Sequence, residues 1–187
     1  MGLKILHLPH SKIDKLKWNQ CISSASNYLP YAYSWYLDVV SPGWNAMVSE
    51  DYSFVFPLTH RRKLGFTYLY QPMFTQQLGL FSKYPIEEKF VLTFLYNIPT
   101  SYKFIEINLN EANTFDLSEE LADRKKNLLL NLNKSYEEIY SGYSENHKRN
   151  LKKAVKNNFK IVREPSPAFQ KYEKRQYHFY AQNQQPN

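Results

Sequence analysis

Two adjacent helix starts, the second opening a run of positive charge, constrain this chain more than any other feature. Ser135 followed by Glu138 is the Ser-x-x-Glu box that caps a helix N-terminus, and Gly142 interrupts the helix it opens. Ser144 then starts a second helix that runs to about Asn157-Asn158. On this second helix Arg149, Lys152, Lys153 and Lys156 fall at i, i+3, i+4 and i+7, so they share one face. Leu151, Ala154 and Val155 occupy the other face and are expected to dock the helix on a sheet.

The charge is local. Residues 144–163 carry seven Lys and Arg against Glu145 alone, and the first 143 residues balance to zero, out of a net charge of +7 for the chain. A patch of this kind suits an anionic partner such as phosphate, nucleic acid or acidic lipid, and a solvated, solubilising helix face is the alternative. The rest of the composition describes an ordinary core. Apolar residues make up 43% and aromatics 17% of 187 residues, which excludes wholesale disorder and sizes the chain at one domain or slightly more. A single cysteine, Cys21, excludes an internal disulfide framework and a cysteine-based zinc site. No apolar run approaches a membrane span, and the first residues lack the apolar stretch of a signal peptide, so a soluble cytoplasmic protein is expected.

The remaining pattern is mixed. Lys4–Leu8 reads as a strand. Ser11 reads as the cap of an amphipathic helix over residues 12–25 that buries Trp18, Cys21, Ile22 and Ala25. A second short helix spans Tyr33–Val40. Trp44–Ser49 and the alternation of Tyr52, Phe54, Phe56 and Leu58 read as strands, with Pro57 marking an edge or bulge. His60-Arg61-Arg62-Lys63 reads as a polar tip before Gly65, followed by strands Phe66–Tyr70 and Gln76–Phe81. Pro85 suits the first position of a helix closed by Pro99. Strands are expected at Tyr102–Leu109, Asn127–Leu132 and Phe159–Val162, with an irregular polar stretch over Glu111–Asp123. The fold class is α+β, with one central, largely antiparallel sheet flanked by helices.

Candidate sites are few. The cation stripe Arg149, Lys152, Lys153 and Lys156 fits a polyanion or diphosphate, and Arg149 stands near the helix start, where a free backbone N–H can add to anion binding. Tyr70, Gln71 and Gln76 belong to an aromatic and amide cluster in a loop, a setting that lines ligand grooves. Arg62-Lys63-Leu64-Gly65-Phe66-Thr67 half-matches the pyrophosphate-holding loop of N-acetyltransferases, but a hairpin explains it better. His7, His10, His60, His147 and His178 show no metal-ligand spacing, and Cys21 reads as a buried structural thiol. Spacing alone identifies no catalytic group.

The segment from Ser141 to Ala154, followed by Asn157-Asn158-Phe159, is similar to the basic segment of FemAB-like proteins, bacterial acyltransferases built from two GNAT-like domains. Tyr31–Trp44 and Tyr70–Gln77 also resemble the first domain of that group. The resemblance implies a GNAT-like first domain over residues 1–164, with 165–187 an irregular tail, the truncated or frameshifted start of a second domain. It implies acyl or aminoacyl transfer to an amine, with acyl-CoA or aminoacyl-tRNA as co-substrate of the complete enzyme and little activity from this chain alone. Partners would be an anionic or nucleotide-linked substrate held by the segment around Arg149, a tRNA, and a second copy or domain over an uncovered interface. Trp35-Tyr36-Leu37-Asp38 lacks the lysine that peptidoglycan-precursor enzymes carry there, which leaves the acceptor open. The rival readings are an RNA or other polyanion-binding module and a non-catalytic remnant.

Overall fold

The computed structural model describes residues 3–116, 123 and 125–157, and the expected strand Phe159–Val162 and the tail beyond it lie outside these. The chain divides into two units, Met1–Arg124 and Lys125–Asn187. The fold class is α+β, with mostly antiparallel sheets and helices.

In the first unit, strand β1 (Ile5–Leu8) leads through a 3-10 turn at His10–Lys12 into helix α1 (Lys15–Ser24). The cap of α1 is Asp14, not Ser11: its carboxylate accepts from the N–H groups of Leu16 and Lys17, both at 3.1 Å. Ser11 sits inside the preceding 3-10 turn, so the helix starts later than its apolar spacing suggests. Helix α2 (Ser34–Val40) follows, close to its expected limits.

Strands β2 (Asn45–Ser49) and β3 (Phe54–Leu58) pair antiparallel, and β1 joins β2 on its other side. Successive side chains on a strand point to opposite faces. Ala46, Val48 and Val55 therefore enter a core with Trp18, Ile22, Leu37 and Trp44 from the α1 and α2 side. Met47, Phe54, Phe56 and Leu58 enter a second core with Val91, Phe94 and Ile98. Both faces are covered, so all five residues of β3 are buried. Pro57 is tolerated in this strand because it pairs with Ala46 beyond the two residues at which the short strand β6 (Phe81–Ser82) meets β3.

The turn between β2 and β3 is held by Asp51. Its carboxylate accepts from the Ser49 and Ser53 hydroxyls at 2.7 and 2.8 Å and from the Ser53 N–H at 3.0 Å. The Ser49 hydrogen bond, aided by Ser53, holds its pKa at about 2. The folded value lies below the unfolded one of 3.8, so the stabilisation is present above pH 4 and is lost as pH falls towards 2. Asp51→Asn is expected to flatten that part of an acid-denaturation curve, followed by circular dichroism.

The expected single sheet is two. After Thr59 the chain leaves the first sheet, and His60–Lys63, expected as a polar tip, forms strand β4. It pairs antiparallel with β5 (Phe66–Leu69), and Thr59 ties the bend by accepting from the Tyr70 N–H at 3.1 Å and donating its hydroxyl to the Tyr70 carbonyl at 2.7 Å. Strand β7 (Tyr102–Ile105) adds to β5 in parallel. It is shorter than expected, and Leu109 makes only an isolated bridge to Leu78.

The hairpin reading of residues 62–67 holds. Lys63 pairs with Phe66, and the two loop residues Leu64 and Gly65 have φ of 50° and 83°. Positive φ at both positions is what a two-residue type I′ turn needs, and leucine is a poor occupant of the first. Leu64→Asn is expected to raise stability by about 0.5–1 kcal/mol, read from the urea midpoint.

Helix α3 (Glu88–Tyr96) begins three residues after Pro85, with Glu87 at its N-cap. Val91 and Phe94 supply its buried face. Gly79, at φ 105°, lies against a buried amide network in which Asn113 accepts from the Leu80 N–H at 2.6 Å and donates to the Leu80 carbonyl at 2.9 Å.

The second unit contains α4 (Tyr136–Ser141) and α5 (Glu145–Lys156). The expected strand Asn127–Leu132 is not formed: Leu128, Leu129, Leu130 and Leu132 are all exposed, and the apolar run finds no strand to pair with among the described residues. Helix α5 buries none of its residues, and Val155, on the face expected to be apolar and covered, is 78% exposed.

Candidate anion-binding site

The capping chemistry of α4 and α5 is the one their sequence predicts. The Ser135 hydroxyl accepts from the Glu138 N–H at 3.2 Å while the Glu138 carboxylate accepts from the Ser135 N–H at 3.0 Å, a complete capping box. Gly142 ends α4, and the Ser144 hydroxyl accepts from the His147 N–H at 3.3 Å to start α5. Glu145 in the first turn and Lys153 and Lys156 in the last complement the helix dipole.

Those caps also decide where an anion can bind on α5. Ser144 already occupies one N-terminal N–H, and the Glu145 carboxylate lies in the same turn, so the start of the helix is a poor anion site. Arg149 turns towards that end, with its Nη2 2.7 Å from Asn146 Oδ1. Lys152, Lys153 and Lys156 stand further along the helix, exposed. None of these four cations is in an ion pair with a described residue. Lys148, off the stripe, is spent locally, 3.2 Å from Glu145 and 5.8 Å from the Tyr140 ring centre.

Lys152 and Lys156 share an open depression of about 530 Å³ with Tyr136, Tyr140, Leu151 and Val155. Leu151 and Val155, two of the three apolar side chains expected to be buried under α5, instead line this depression beside two cations. Arg149 and Lys153 do not line it. Tyr136 and Tyr140 have ring centres 5.8 Å apart, and the aromatic row continues through Tyr143 (5.9 Å) to His147 (5.2 Å). Neither Tyr136 nor Tyr140 is among the site residues expected from the sequence. Their i, i+4 spacing on a capped helix was the available signal.

The groove candidates lie in the first unit and are engaged in holding its loops. Gln71 donates to the Thr75 carbonyl at 2.8 Å and accepts from the Asn108 N–H at 2.9 Å, so it closes the loop and pins the chain beyond β7. Tyr70 donates its hydroxyl to the Val40 carbonyl at 3.2 Å, and the Arg61 guanidinium lies 4.3 Å from its ring centre. Gln76 follows in the same segment and also has a partner.

Two histidines distant in sequence come together in the fold. His7 and His60 both approach the Tyr102 ring, at 6.3 and 5.8 Å, and burial with the nearby His60 lowers the pKa of His7. His10 lies 3.6 Å from Asp38, which also accepts from Lys15 at 2.8 Å and from the Trp44 indole at 3.0 Å. Burial opposes ionisation of Asp38, but these donors and charges outweigh it and keep its pKa low. Burial pushes the Cys21 thiol up to about 11, as expected of a structural cysteine. Among the described residues no three His, Cys, Asp or Glu converge to hold a metal ion, and no helix is long and apolar enough to cross a membrane.

No family model, curated protein or solved structure matches the chain.

Proposed function

We propose that the chain serves acyl or aminoacyl transfer to an amine, in the manner of FemAB-like acyltransferases, and that its share of the work is to hold a nucleotide-linked anionic substrate between α4 and α5. In such a reaction the amine nitrogen attacks the acyl carbonyl of an acyl-CoA or aminoacyl-tRNA. The thiol or ribose oxygen leaves, and the amine gives up a proton. Positioning and oxyanion donors supply most of the acceleration, so a nucleophilic side chain is not required. The GNAT-like fold belongs to this proposal.

The observation that carries the binding role is the depression in which Lys152 and Lys156 adjoin Tyr136 and Tyr140. Two ammonium groups in no ion pair with a described residue suit the oxygens of a diphosphate, and the tyrosine rings suit a base or other flat group beside it. Arg149 and Lys153 add positive field from the adjoining face of the helix. The resemblance of Ser141–Ala154 to the FemAB-like basic segment supplies the reaction class. The test is titration of the purified chain with a nucleoside-diphosphate-linked amine, followed by addition of labelled acyl-CoA or aminoacyl-tRNA. Saturable binding that inorganic diphosphate displaces is expected. Failure of any nucleotide-linked anion to bind would overturn the reading.

A further inference from the structure

We infer that the outer face of the β4–β5–β7 sheet is a second, separate binding surface, a stacking platform for single-stranded nucleic acid. Cross-strand partners share a face of a sheet, so the register Arg61–Tyr68 and Lys63–Phe66 puts these four side chains together. The opposite face carries Leu69, fully buried in the core, which fixes Arg61, Lys63, Phe66 and Tyr68 as the outward set. Tyr70 continues the same period, and the Arg61 guanidinium lies 4.3 Å from its ring centre, as only a same-face neighbour could.

The face has the two components such a platform needs. Phe66 is 61% exposed, and Tyr68 stands 6.4 Å from Tyr70, ring centre to ring centre. Around these rings Arg61, Lys63 and Lys103 are exposed, and none is in an ion pair with a described residue. No acidic residue occurs between Asp51 and Glu87, and the one carboxylate on the β7 side is the exposed Glu106, whose N–H donates to the Leu69 carbonyl at 3.2 Å just past the end of β7. Cations with no ion-pair partner among the described residues, interleaved with one exposed and two half-buried rings on a sheet, match a strand of phosphates with its bases turned outward. A duplex hides the faces of its bases and would use only the charges. The Tyr70 hydroxyl, anchored on the Val40 carbonyl, and Arg61 above the ring hold one end of the platform ready before a ligand arrives.

The experiment measures fluorescence anisotropy of a labelled 12-nucleotide oligouridine, its DNA counterpart and a matched duplex with the whole chain. Single strands of either sugar are expected to bind more tightly than the duplex. Phe66→Ala and Tyr68→Ala, both at surface positions, are each expected to weaken single-strand binding by roughly tenfold. Arg61→Ala with Lys63→Ala is expected to lower the slope of log affinity against log salt by about 1.4. Lys152→Glu with Lys156→Glu should leave this binding in place, which separates the platform from the α5 site. Photocrosslinking of the unaltered chain to oligouridine should label the peptide carrying Phe66 and Tyr68, a readout that no unfolded variant can confuse. Equal affinity for the duplex, indifference to loss of both rings, a crosslink confined to α5, or binding only of acidic peptides would each overturn the inference.

Discussion

Trp44→Ala is expected to destabilise the first unit by about 3–5 kcal/mol, close to the whole margin of many small domains. Trp44 is fully buried, and its ring centre lies 4.7 Å from that of Trp18, also fully buried, in an edge-on contact. Alanine would leave a void of most of an indole between β2 and α1, in an interior too closely packed to collapse around it. It would also remove the indole N–H that donates to Asp38, the carboxylate that Lys15 and His10 approach. Lys15 would still partner Asp38, so the cavity is the larger part of the loss. Trp44→Phe refills part of the volume and omits the donor, and is expected to cost less than half as much. Urea unfolding followed by tyrosine fluorescence, which both variants retain, measures the difference.

Reversing two charges on α5, Lys152→Glu with Lys156→Glu, is expected to weaken binding of a nucleoside diphosphate by more than 100-fold. Hydrogen bonds to a charged group contribute about 1.5–3 kcal/mol each, and each reversal also adds repulsion. Stability should change little, because both side chains are exposed and in no ion pair with a described residue. Arg149→Ala is expected to cost less than tenfold, since Arg149 is turned to Asn146 and does not line the depression. Tyr140→Ala falls between, through the lost ring. This order of effects separates a site centred on Lys152 and Lys156 from one in which all four cations count alike. Isothermal titration at low salt measures it.

The parts of this fold that the sequence announces are those decided within a few residues. Ser135 and Glu138 satisfy each other across one turn, and Ser144 reaches the third residue of its own helix, so α4 and α5 begin where their caps stand. The Leu64-Gly65 turn is legible because two flanking runs must reverse in two residues. Expectation and structure part where distant partners decide. Ser11 and Asp14 are both competent caps, and the 3-10 turn at His10–Lys12, with the Asp14 N–H donating to the Tyr52 hydroxyl at 3.0 Å, favours the second. His60–Lys63 looks like a loop because its residues are charged. It is a strand because β5 returns beside it, and its charges stay exposed on an edge. Leu128–Leu130 looks like a strand because it is apolar, but a strand needs a neighbour. At the candidate site the cation spacing was visible along α5. That Lys152 and Lys156 would share a depression with Tyr136 and Tyr140 depends on how α4 lies against α5, which periodicity within either helix does not encode.

The anion site proposed between α4 and α5 is tested most directly by an NMR titration of the isotope-labelled chain with a nucleoside diphosphate. Saturable shifts of the amides of Lys152, Val155 and Lys156 and of the ring signals of Tyr136 and Tyr140 are expected, abolished by Lys152→Glu with Lys156→Glu. Shifts confined to the β4–β5 hairpin, or none at concentrations where the nucleotide is in large excess, would contradict it.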